Sequence, residues 1–456
     1  MTQSTDGPDF VPPTASEFLP HLLASVPEAV AREFAAASRI GGPPRDRLVP
    51  RHVLLWFGLA AALDSRLSPT QVFAQLLPGF AGDGLPSASV LAQGRVRLGW
   101  LPLRRLAHHL RRRPPTPREC PSAFHRGLRL LAIDGTTLAV PDTPANAKAF
   151  GRHVAGGGPA HFPQVRLVAL MELGTRTFTH WTVKPVRAGE VPTARSLIPH
   201  LEAGQLLLHD AGFQGFSFTA AVRERGAHVL GRVPNGPLLK SRRRLADGSD
   251  LARLYPTTAD RLKDRNGPTV RVVEYAHDDP KRTRCRVRTR LVTTLLDPKA
   301  DPARTLIALY HRRWDQELAF RELKTHLADR RVEVRSKTPV GVLQDVWALV
   351  IAHGLLRGVM AEAGQAHGVP PTELSFTDTL RIVQRHAREV PADPTGPDGR
   401  RWWDDLLRAI AATRLPPRRL RLYSRVVKSG RNKFPTKKPH HRQVHVKPFQ
   451  DHVHIT

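Results

Sequence analysis

Two short apolar runs, LRLLAID at Leu128–Asp134 and QLLLHD at Gln205–Asp210, each end in an aspartate. Between them lie two further β-rich runs, QVRLVALMELG and FTHWTVKPV, followed by VPTARSLIPHLEAG with helical spacing. Strands that are followed by a helix and then by another buried strand predict an α/β layer with a mixed sheet. In an open sheet of this kind, ligands gather at the carboxyl ends of the strands. Asp134 and Asp210 are therefore candidate site residues.

Each aspartate taken alone also has an ordinary structural explanation. Asp134 and Gly135 could form a hairpin turn, and Asp210 before Ala-Gly could begin a loop. The two aspartates carry more weight together, because a third carboxylate accompanies them in a strongly basic chain.

The composition of the chain favours a polyanionic partner. Its 456 residues include 70 Lys and Arg against 40 Asp and Glu, which gives a formal net charge of +30. The basic residues recur along the whole chain, and we expect no apolar run of about 18 residues that could cross a bilayer, so nucleic acid is favoured over a membrane. Residues 1–20 lack the basic and apolar regions of a signal peptide, which predicts a protein that stays inside the cell. Cys120 and Cys285 lack metal-binding spacing, so neither a disulfide framework nor a zinc site is expected.

The third carboxylate lies in YHRRWDQELAFRELK, Tyr310–Lys324, within a helix predicted from about Arg304 to Leu327. At 100° per residue, Tyr310, Arg313, Glu317 and Lys324 fall within a sector of roughly 60° and make one polar face. An ordinary salt-bridged surface is the alternative, because Arg313 and Glu317 are an i, i+4 pair.

Three converging carboxylates are suited to hold hard divalent cations. Mg²⁺ takes oxygen ligands, needs only one or two protein carboxylates per ion and completes its shell with water and substrate phosphates. Two such ions about 3.5–4 Å apart can activate an attacking oxygen, from water or a DNA 3′-hydroxyl, and stabilise the departing one. Arg313 and Lys324 are expected to contact the flanking phosphates, and Tyr310 to contact the same DNA backbone.

The segment Tyr310–Lys324 resembles the Y-x2-R-x3-E-x6-K motif of insertion-sequence transposases of the number-four family at every position. The similarity extends in collinear order to LLAIDGTTL, LLLHDAGF, VTTLLDP, FRELKTHL with RSKTP, the N-terminal PSASVLAQGRVRLG and the C-terminal SRVVKSGRNKFP. The resemblance implies a ribonuclease-H-like catalytic domain in which Asp134, Asp210 and Glu317 are the catalytic and metal-binding DDE triad.

This resemblance implies a specific activity. We expect a DNA transposase that binds the terminal inverted repeats of its element, cleaves at the element ends and transfers the 3′-hydroxyl to target DNA. The expected cofactor is two Mg²⁺ ions, for which Mn²⁺ can substitute. The expected partners are double-stranded DNA, from element ends and target, and a second copy of the chain in a synaptic homodimer, with no membrane; the expected location is the cytoplasm, at the nucleoid. Two alternatives stay open: a metal-dependent nuclease or resolvase of the same fold, and an inactive domesticated derivative that only binds DNA.

The predicted fold class is α/β, with a ribonuclease-H-like mixed sheet and flanking helices. Residues 1–118 are expected to form a helical N-terminal DNA-binding domain, in which Arg95 and Arg97 lie on either a recognition helix or a solvated basic helix. Residues 119–235 and 299–370 are the two parts of the catalytic domain, with a β-rich insertion at 236–298 between them. Residues 371–456 form a helical and basic C-terminal region, whose tail from Arg418 to Lys447 is expected to hold DNA.

The chain departs from one feature of the family it resembles. In members that cut through a DNA hairpin, an aromatic residue in or near the insertion, often Trp, stacks on a flipped base. This chain has no Trp between Trp181 and Trp314. Tyr255 and Tyr275 are the candidates for that position.

Overall fold

The computed structural model describes residues 28–36, 49–63, 67–76, 85–111, 113–155, 158–213, 215–234, 239–277, 287–327, 334–386, 391, 396–416 and 453–455. The chain forms two compact units, each assembled from three stretches of sequence. The helix-rich unit comprises Met1–Ala123, Gly135–Thr193 and Gln316–Leu415. The sheet unit comprises Phe124–Asp134, Ala194–Asp315 and Pro416–Thr456.

The strands are β1 (Phe124–His125), β2 (Leu128–Ala139), β3 (Val154–Ala155), β4 (Gly158–Pro159), β5 (Gln164–Glu172), β6 (Thr177–Pro185), β7 (Gln205–His209), β8 (His228–Val233), β9 (Arg243–Arg244), β10 (Asp250–Arg253), β11 (Thr269–His277), β12 (Val287–Thr293) and β13 (Val453–Ile455). The helices are α1 (Glu28–Ala36), α2 (Arg51–Leu63), α3 (Pro69–Leu76), α4 (Ala88–Leu98), α5 (Leu101–His109), α6 (Pro144–Phe150), α7 (Glu190–Arg195), α8 (Phe216–Glu224), α9 (Thr258–Leu262), α10 (Ala303–His311), α11 (Trp314–Arg321), α12 (Pro339–His367), α13 (Phe376–His386) and α14 (Pro397–Ala411).

The sheet unit contains a mixed sheet. The first half of β2 pairs in parallel with β7, and β7 pairs in parallel with β8. From β8 onward the order continues through β12, β11, β10 and β9 with antiparallel pairing. Every residue of β7 is buried, as expected for a parallel strand covered on both faces. The predicted mixed sheet with flanking helices is confirmed, and β9–β12 extend this sheet; the assignment of residues 236–298 as an insertion stays a prediction.

A buried ion pair fixes the antiparallel half of this sheet to the start of α10. Arg271 on β11 has a fully buried side chain that pairs with Asp247 and donates to the Asp301 carbonyl. The Asp247 carboxylate also accepts from the backbone N–H of Ala303, the first residue of α10. This arrangement anchors α10, which carries Tyr310 and leads directly into the turn at Arg313.

The helix-rich unit is organised around α12, a helix that packs against α2, α5, α13 and α14. Thr338 caps its start by accepting from the backbone N–H of Gly341, and Gly368 ends it with a left-handed φ of 66°. An 18-residue window of α12 has a mean hydropathy of 1.5, so the expectation that the chain has no such apolar run is wrong. However, 72% of that window is buried inside the protein, as in the core helix of a globular domain.

Aromatic packing joins the helices of this unit to its β-hairpin of β5 and β6. The ring of His108 on α5 stacks on Trp181 of β6, with centroids 5.9 Å apart and an interplanar angle of 10°. Trp347 on α12 contacts both rings, at 6.0 and 6.1 Å. Such clusters bury a large apolar area at one point. The N-terminal helices are therefore part of this unit's core.

Candidate active site

The two aspartates lie level with one another in the sheet unit. The register between β2 and β7 pairs Ala132 with Leu208, and two further residues along each chain lead to Asp134 and Asp210. Neighbouring parallel strands are about 4.8 Å apart, so the backbones at these positions are adjacent. Asp210 directly follows the end of β7, as predicted. Asp134 instead lies inside β2, which continues to Ala139, so a hairpin turn at this position is excluded.

A tight turn orients Asp210. Its Oδ1 accepts a hydrogen bond of 2.8 Å from the backbone N–H of Gly212. Its carbonyl oxygen accepts from the backbone N–H of Phe213 at 3.4 Å and from Nδ1–H of His209 at 2.8 Å. Burial lowers the pKa of His209, which keeps this imidazole neutral. Short side-chain-to-backbone bonds of this kind are typical of Asp at the start of a turn.

Arg313 contacts the first aspartate. Its Nη1 lies 3.1 Å from Oδ2 of Asp134, and the two side chains are only 11% and 15% exposed. Tyr310, three residues earlier, is also buried. Burial raises the pKa of the Tyr310 hydroxyl, Arg313 opposes that shift and the negative Asp210 adds to it. Four of the six predicted site residues, Asp134, Asp210, Tyr310 and Arg313, thus share one neighbourhood of the sheet unit.

The other two predicted site residues belong to the helix-rich unit. Glu317 lies on α11 and is half-buried, and Lys324 is half-buried in the segment that follows. Just before Glu317, Gln316 is fully buried and donates from Nε2 to the carbonyl of Ala169 on β5 at 2.8 Å. This bond fixes the start of the glutamate helix to the β-hairpin of its own unit.

The prediction of one continuous helix through this motif is wrong. The helix α10 ends at His311, residues 312 and 313 form a turn, and α11 begins at Trp314. Successive backbone bonds here span three residues, from Arg313 to Tyr310 and from Asp315 to Arg312. From Glu322 to Leu327 the helix then widens to the π form, with bonds spanning five residues. A single rotation of 100° per residue therefore does not hold across the motif, so the helical-wheel argument for one polar face fails.

Glu322, which the sequence pattern did not single out, is the centre of a buried ionic network in the helix-rich unit. Arg357 on α12 contacts both of its carboxylate oxygens, with Nε 3.0 Å from Oε2, and Nε2 of His353 lies 3.2 Å from Oε2. Arg176 approaches to 3.7 Å. Burial alone would raise the pKa of Glu322, but these partners lower it to about 2. Burial lowers the pKa of His353, whose ring stacks on Phe178 and Phe376.

Two other predicted roles can be compared with the structure. Arg95 forms an ion pair with Asp345 and donates from Nε to Gln344 at 3.2 Å, so it joins α4 to α12 and its side chain is not simply a solvated basic group.

Tyr275 is only 1% exposed, which leaves no open ring face for a base. Tyr255 is half-buried, and its hydroxyl donates to Asp264. The basic tail from Arg418 to Lys447 lies outside the described residues.

The donors in the sheet unit suit a hard divalent cation. Asp134 and Asp210 offer carboxylate oxygens at adjacent positions, and the Arg313 guanidinium shows that positive charge is accepted at Asp134. In the part of the chain that the structure describes, no group of three or more His, Cys, Asp or Glu side chains is close enough to hold a metal ion. The assignment of Asp134, Asp210 and Glu317 as metal ligands therefore stays a prediction.

Comparison with known proteins places the chain in a family. Residues 125–355 match the family "Transposase DDE domain", and residues 21–108 match "Insertion element 4 transposase N-terminal". The chain is 31% identical over 427 residues to the "Transposase InsG for insertion sequence element IS4" of Escherichia coli (strain K12), covering 90% of this chain and 92% of that protein. It is 26% identical over 228 residues to the "Putative transposase InsZ" of the same strain, covering 49% and 73%.

Among solved structures, the chain is similar to a piggyBac transposase in a "synaptic complex with hairpin DNA", with a TM-score of 0.40, 12% identity and coverage of 95% and 86%. The assignment rests on the sequence matches, which span almost the whole chain. The chain belongs to the IS4 family of DDE transposases. The resemblance found in the sequence is thereby confirmed, as is the α/β fold class with a mixed sheet and flanking helices.

Proposed function

We propose that this transposase binds the terminal inverted repeats of its insertion sequence, cleaves at the element ends and transfers the freed 3′-hydroxyl to target DNA. The family supplies the reaction class. The observation that supports it in this chain is the level placement of Asp134 and Asp210, with Arg313 bound to the first of them. Two carboxylates at adjacent positions of neighbouring strands offer oxygen donors that one divalent cation can join.

Asp134, Asp210 and Glu317 would hold two Mg²⁺ ions, for which Mn²⁺ can substitute. Held by these carboxylates, such ions would supply activation of the attacking hydroxyl or water and charge stabilisation for the departing oxygen. Carboxylates are the oxygen donors that such ions prefer.

The remaining motif residues act on the DNA backbone. Arg313 neutralises Asp134 in the metal-free protein, and its further N–H groups are suited to a phosphate oxygen. Lys324 provides a second positive charge for the phosphates next to the cleaved bond. The Tyr310 hydroxyl stays protonated, since burial raises its pKa, and therefore acts as a hydrogen-bond donor.

The proposed partners follow from this reaction. The net charge of +30 suits double-stranded DNA, whose phosphates would bind Lys and Arg with strong dependence on salt. Joining both element ends to one target requires paired ends, so we propose a homodimer in the synaptic complex. The proposed location is the cytoplasm, at the nucleoid, with no role for a membrane.

The test is DNA cleavage and joining by purified protein. A labelled duplex carrying one element end and a supercoiled target are incubated with Mg²⁺ or EDTA, using wild type, Glu317→Gln and Glu224→Gln. Glu224 is exposed on α8 and serves as the matched control. We expect metal-dependent cleavage and joining in wild type and the control, and neither in Glu317→Gln.

Other outcomes would change the proposal in defined ways. Cleavage without joining would indicate a metal-dependent nuclease or resolvase of the same fold. DNA binding with no cleavage in any metal, in wild type and variant alike, would indicate a derivative that only binds DNA. Equal cleavage by wild type and Glu317→Gln would remove Glu317 from the site.

A further inference from the structure

His209 is buried beside Asp210, although it belongs to none of the roles described above. It is the last residue of β7 and is 3% exposed. Burying an imidazole is costly unless its nitrogens find partners. Its position, directly before a proposed metal ligand, raises the question of what the ring does there.

The ring holds the peptide that follows it. A carbonyl oxygen only accepts, so Nδ1 of His209 carries the proton and donates to the Asp210 carbonyl at 2.8 Å. This bond is shorter than the 3.4 Å bond that the same carbonyl accepts from the backbone N–H of Phe213. The imidazole therefore makes the tighter of the two bonds that fix the orientation of the Asp210 peptide.

The neighbouring strand is shaped to receive the ring. Gly231 on β8 pairs with His209, and a Cβ added at Gly231 would overlap the imidazole. Phe218 on α8 meets the ring edge-on, with centroids 5.3 Å apart. A glycine inside a strand usually marks a close approach by another group, and here that group is the His209 ring.

We propose that His209 is a positioning residue, which locks the Asp210 peptide so that the carboxylate is presented in the orientation that metal binding needs. The proposal rests on the proposed function, because it assigns metal binding to Asp210. The chain of contacts runs from Gly231 through the imidazole to the Asp210 carbonyl, and from the turn through the Gly212 N–H to Asp210 Oδ1. Groups that orient a metal ligand in this way typically change metal affinity or activity by about 10–100-fold when removed.

Two amide variants separate hydrogen bonding from packing. The side-chain N–H of Asn in His209→Asn can replace Nδ1–H, whereas that of Gln in His209→Gln lies nearer the position of Nε2. His228→Gln is the control, because His228 is a half-buried histidine on β8 whose Nδ1 contacts Thr294 instead. The readouts are hydrogen exchange of the amides of Gly212 and Phe213, Mn²⁺ affinity measured by electron paramagnetic resonance, and metal-dependent DNA cleavage.

We expect His209→Gln to exchange these two amides at least about tenfold faster and to bind Mn²⁺ about tenfold more weakly than wild type. His209→Asn should stay within about threefold of wild type in both, and His228→Gln should be unchanged. Equal amide protection and Mn²⁺ affinity in wild type and His209→Gln would overturn the proposal.

The failure of this proposal is distinguishable from the failure of the proposed function. If wild type neither binds Mn²⁺ nor cleaves DNA, the metal-dependent function is wrong. Amide exchange then decides the role of His209 alone: faster exchange in His209→Gln, but not in His209→Asn, supports the locking of the Asp210 peptide. Gly231→Ala is a second route to the same result, because its methyl group displaces the ring while leaving His209 in the sequence.

Discussion

Two arginine–carboxylate pairs each include one residue of the motif Tyr310–Lys324, Glu322 in one pair and Arg313 in the other, but the pairs lie in different surroundings. Glu322 is fully enclosed in the helix-rich unit, where Arg357 contacts both of its oxygens and His353 adds a third bond. Asp134, in the sheet unit, contacts Arg313 through Oδ2, and a second carboxylate, Asp210, lies at the adjacent position of the neighbouring strand. The sequence alone presents Glu322 and Arg313 as two charged residues of one charged motif.

The difference separates a structural ion pair from one suited to chemistry. The Glu322 carboxylate is occupied on both oxygens, and its partners come from α12 and from Arg176, so it fixes the segment after Glu317 to the core. The Asp134 side chain is 15% exposed, and Asp210 lies at the adjacent position of the neighbouring strand. Buried pairs of the first kind are costly to break, whereas a pair of the second kind can exchange its partner.

The largest expected effect is on folding, from Arg357→Leu. Removing the guanidinium leaves a buried carboxylate without its main partner, which typically costs about 3–5 kcal/mol. Arg313→Leu should cost only about 1–2 kcal/mol, because Asp134 is less enclosed. Urea unfolding followed by tryptophan fluorescence measures the first effect well, since six of the seven tryptophans belong to the helix-rich unit. Similar losses in the free energy of unfolding from both variants would show that the two ion pairs contribute equally to stability.

The next effect is on activity, from Asp134→Asn. The variant keeps the shape of the side chain but removes the charge that a divalent cation needs, so we expect DNA cleavage to fall by at least about 10³-fold, equivalent to several kcal/mol of transition-state stabilisation. Stability should change by no more than about 2 kcal/mol, because the amide keeps the size of the side chain and its oxygen can still accept from Arg313.

The matching control is Glu322→Gln, assayed at a temperature where it is folded. It should retain cleavage per folded molecule within about tenfold, although it destabilises the protein. A loss of cleavage in Glu322→Gln as large as that in Asp134→Asn would mean that the buried network takes part in the reaction itself.

Much of the fold could be predicted from the sequence because several of its strands and helices have strong local patterns. The apolar run of β7 and its terminal Asp210 appear as expected, and Ser87 caps α4 by accepting from the N–H of Val90. The strand at Asp134 was predicted, but not its continuation to Ala139. A Gly after an Asp favours a turn locally, and only the pairing of β2 along its length shows otherwise.

The break in the motif helix had no local cause that a sequence could reveal. No Gly or Pro lies between Tyr310 and Lys324, so propensity predicts an unbroken helix. Tertiary bonds of Arg313 to Asp134 and of Gln316 to Ala169 accompany the break, and both partners are distant in sequence. The roles of Glu322 and His209 were missed for the same reason, since each depends on partners from other strands or helices.

A smaller effect concerns pH. The pKa of Glu322 in the folded protein is about 2, below its ordinary value, so its stabilising contribution is complete above pH 4.5 and is lost as the pH falls towards 2. His353 has a pKa lowered by burial, so below about pH 6.5 the unfolded state takes up a proton that the folded state resists. Both groups make the protein less stable as the pH falls.

Urea midpoints at pH 8, 7, 6 and 5 test this dependence. Stability should decline below about pH 6.5, and His353→Gln should flatten that decline in part, because the pKa values of His209 and His228 are also lowered by burial. Asp134→Asn should leave the slope of the wild type between pH 8 and 5 unchanged. If stability falls with pH equally steeply in His353→Gln and in the wild type, the pKa of this imidazole does not differ between the folded and the unfolded protein.

The smallest expected effect comes from Arg95, which extends the comparison to a third pair. Its guanidinium binds Asp345 and Gln344 at a partly exposed position, so Arg95→Gln should lower stability by about 1 kcal/mol. Because these bonds already engage the side chain within the protein, its loss should weaken DNA binding no more than the loss of an exposed arginine such as Arg118. Fluorescence anisotropy with element-end DNA at several salt concentrations compares Arg95→Gln with Arg118→Gln. A much larger loss of DNA affinity in Arg95→Gln, with unchanged stability, would support the interpretation of α4 as a recognition helix.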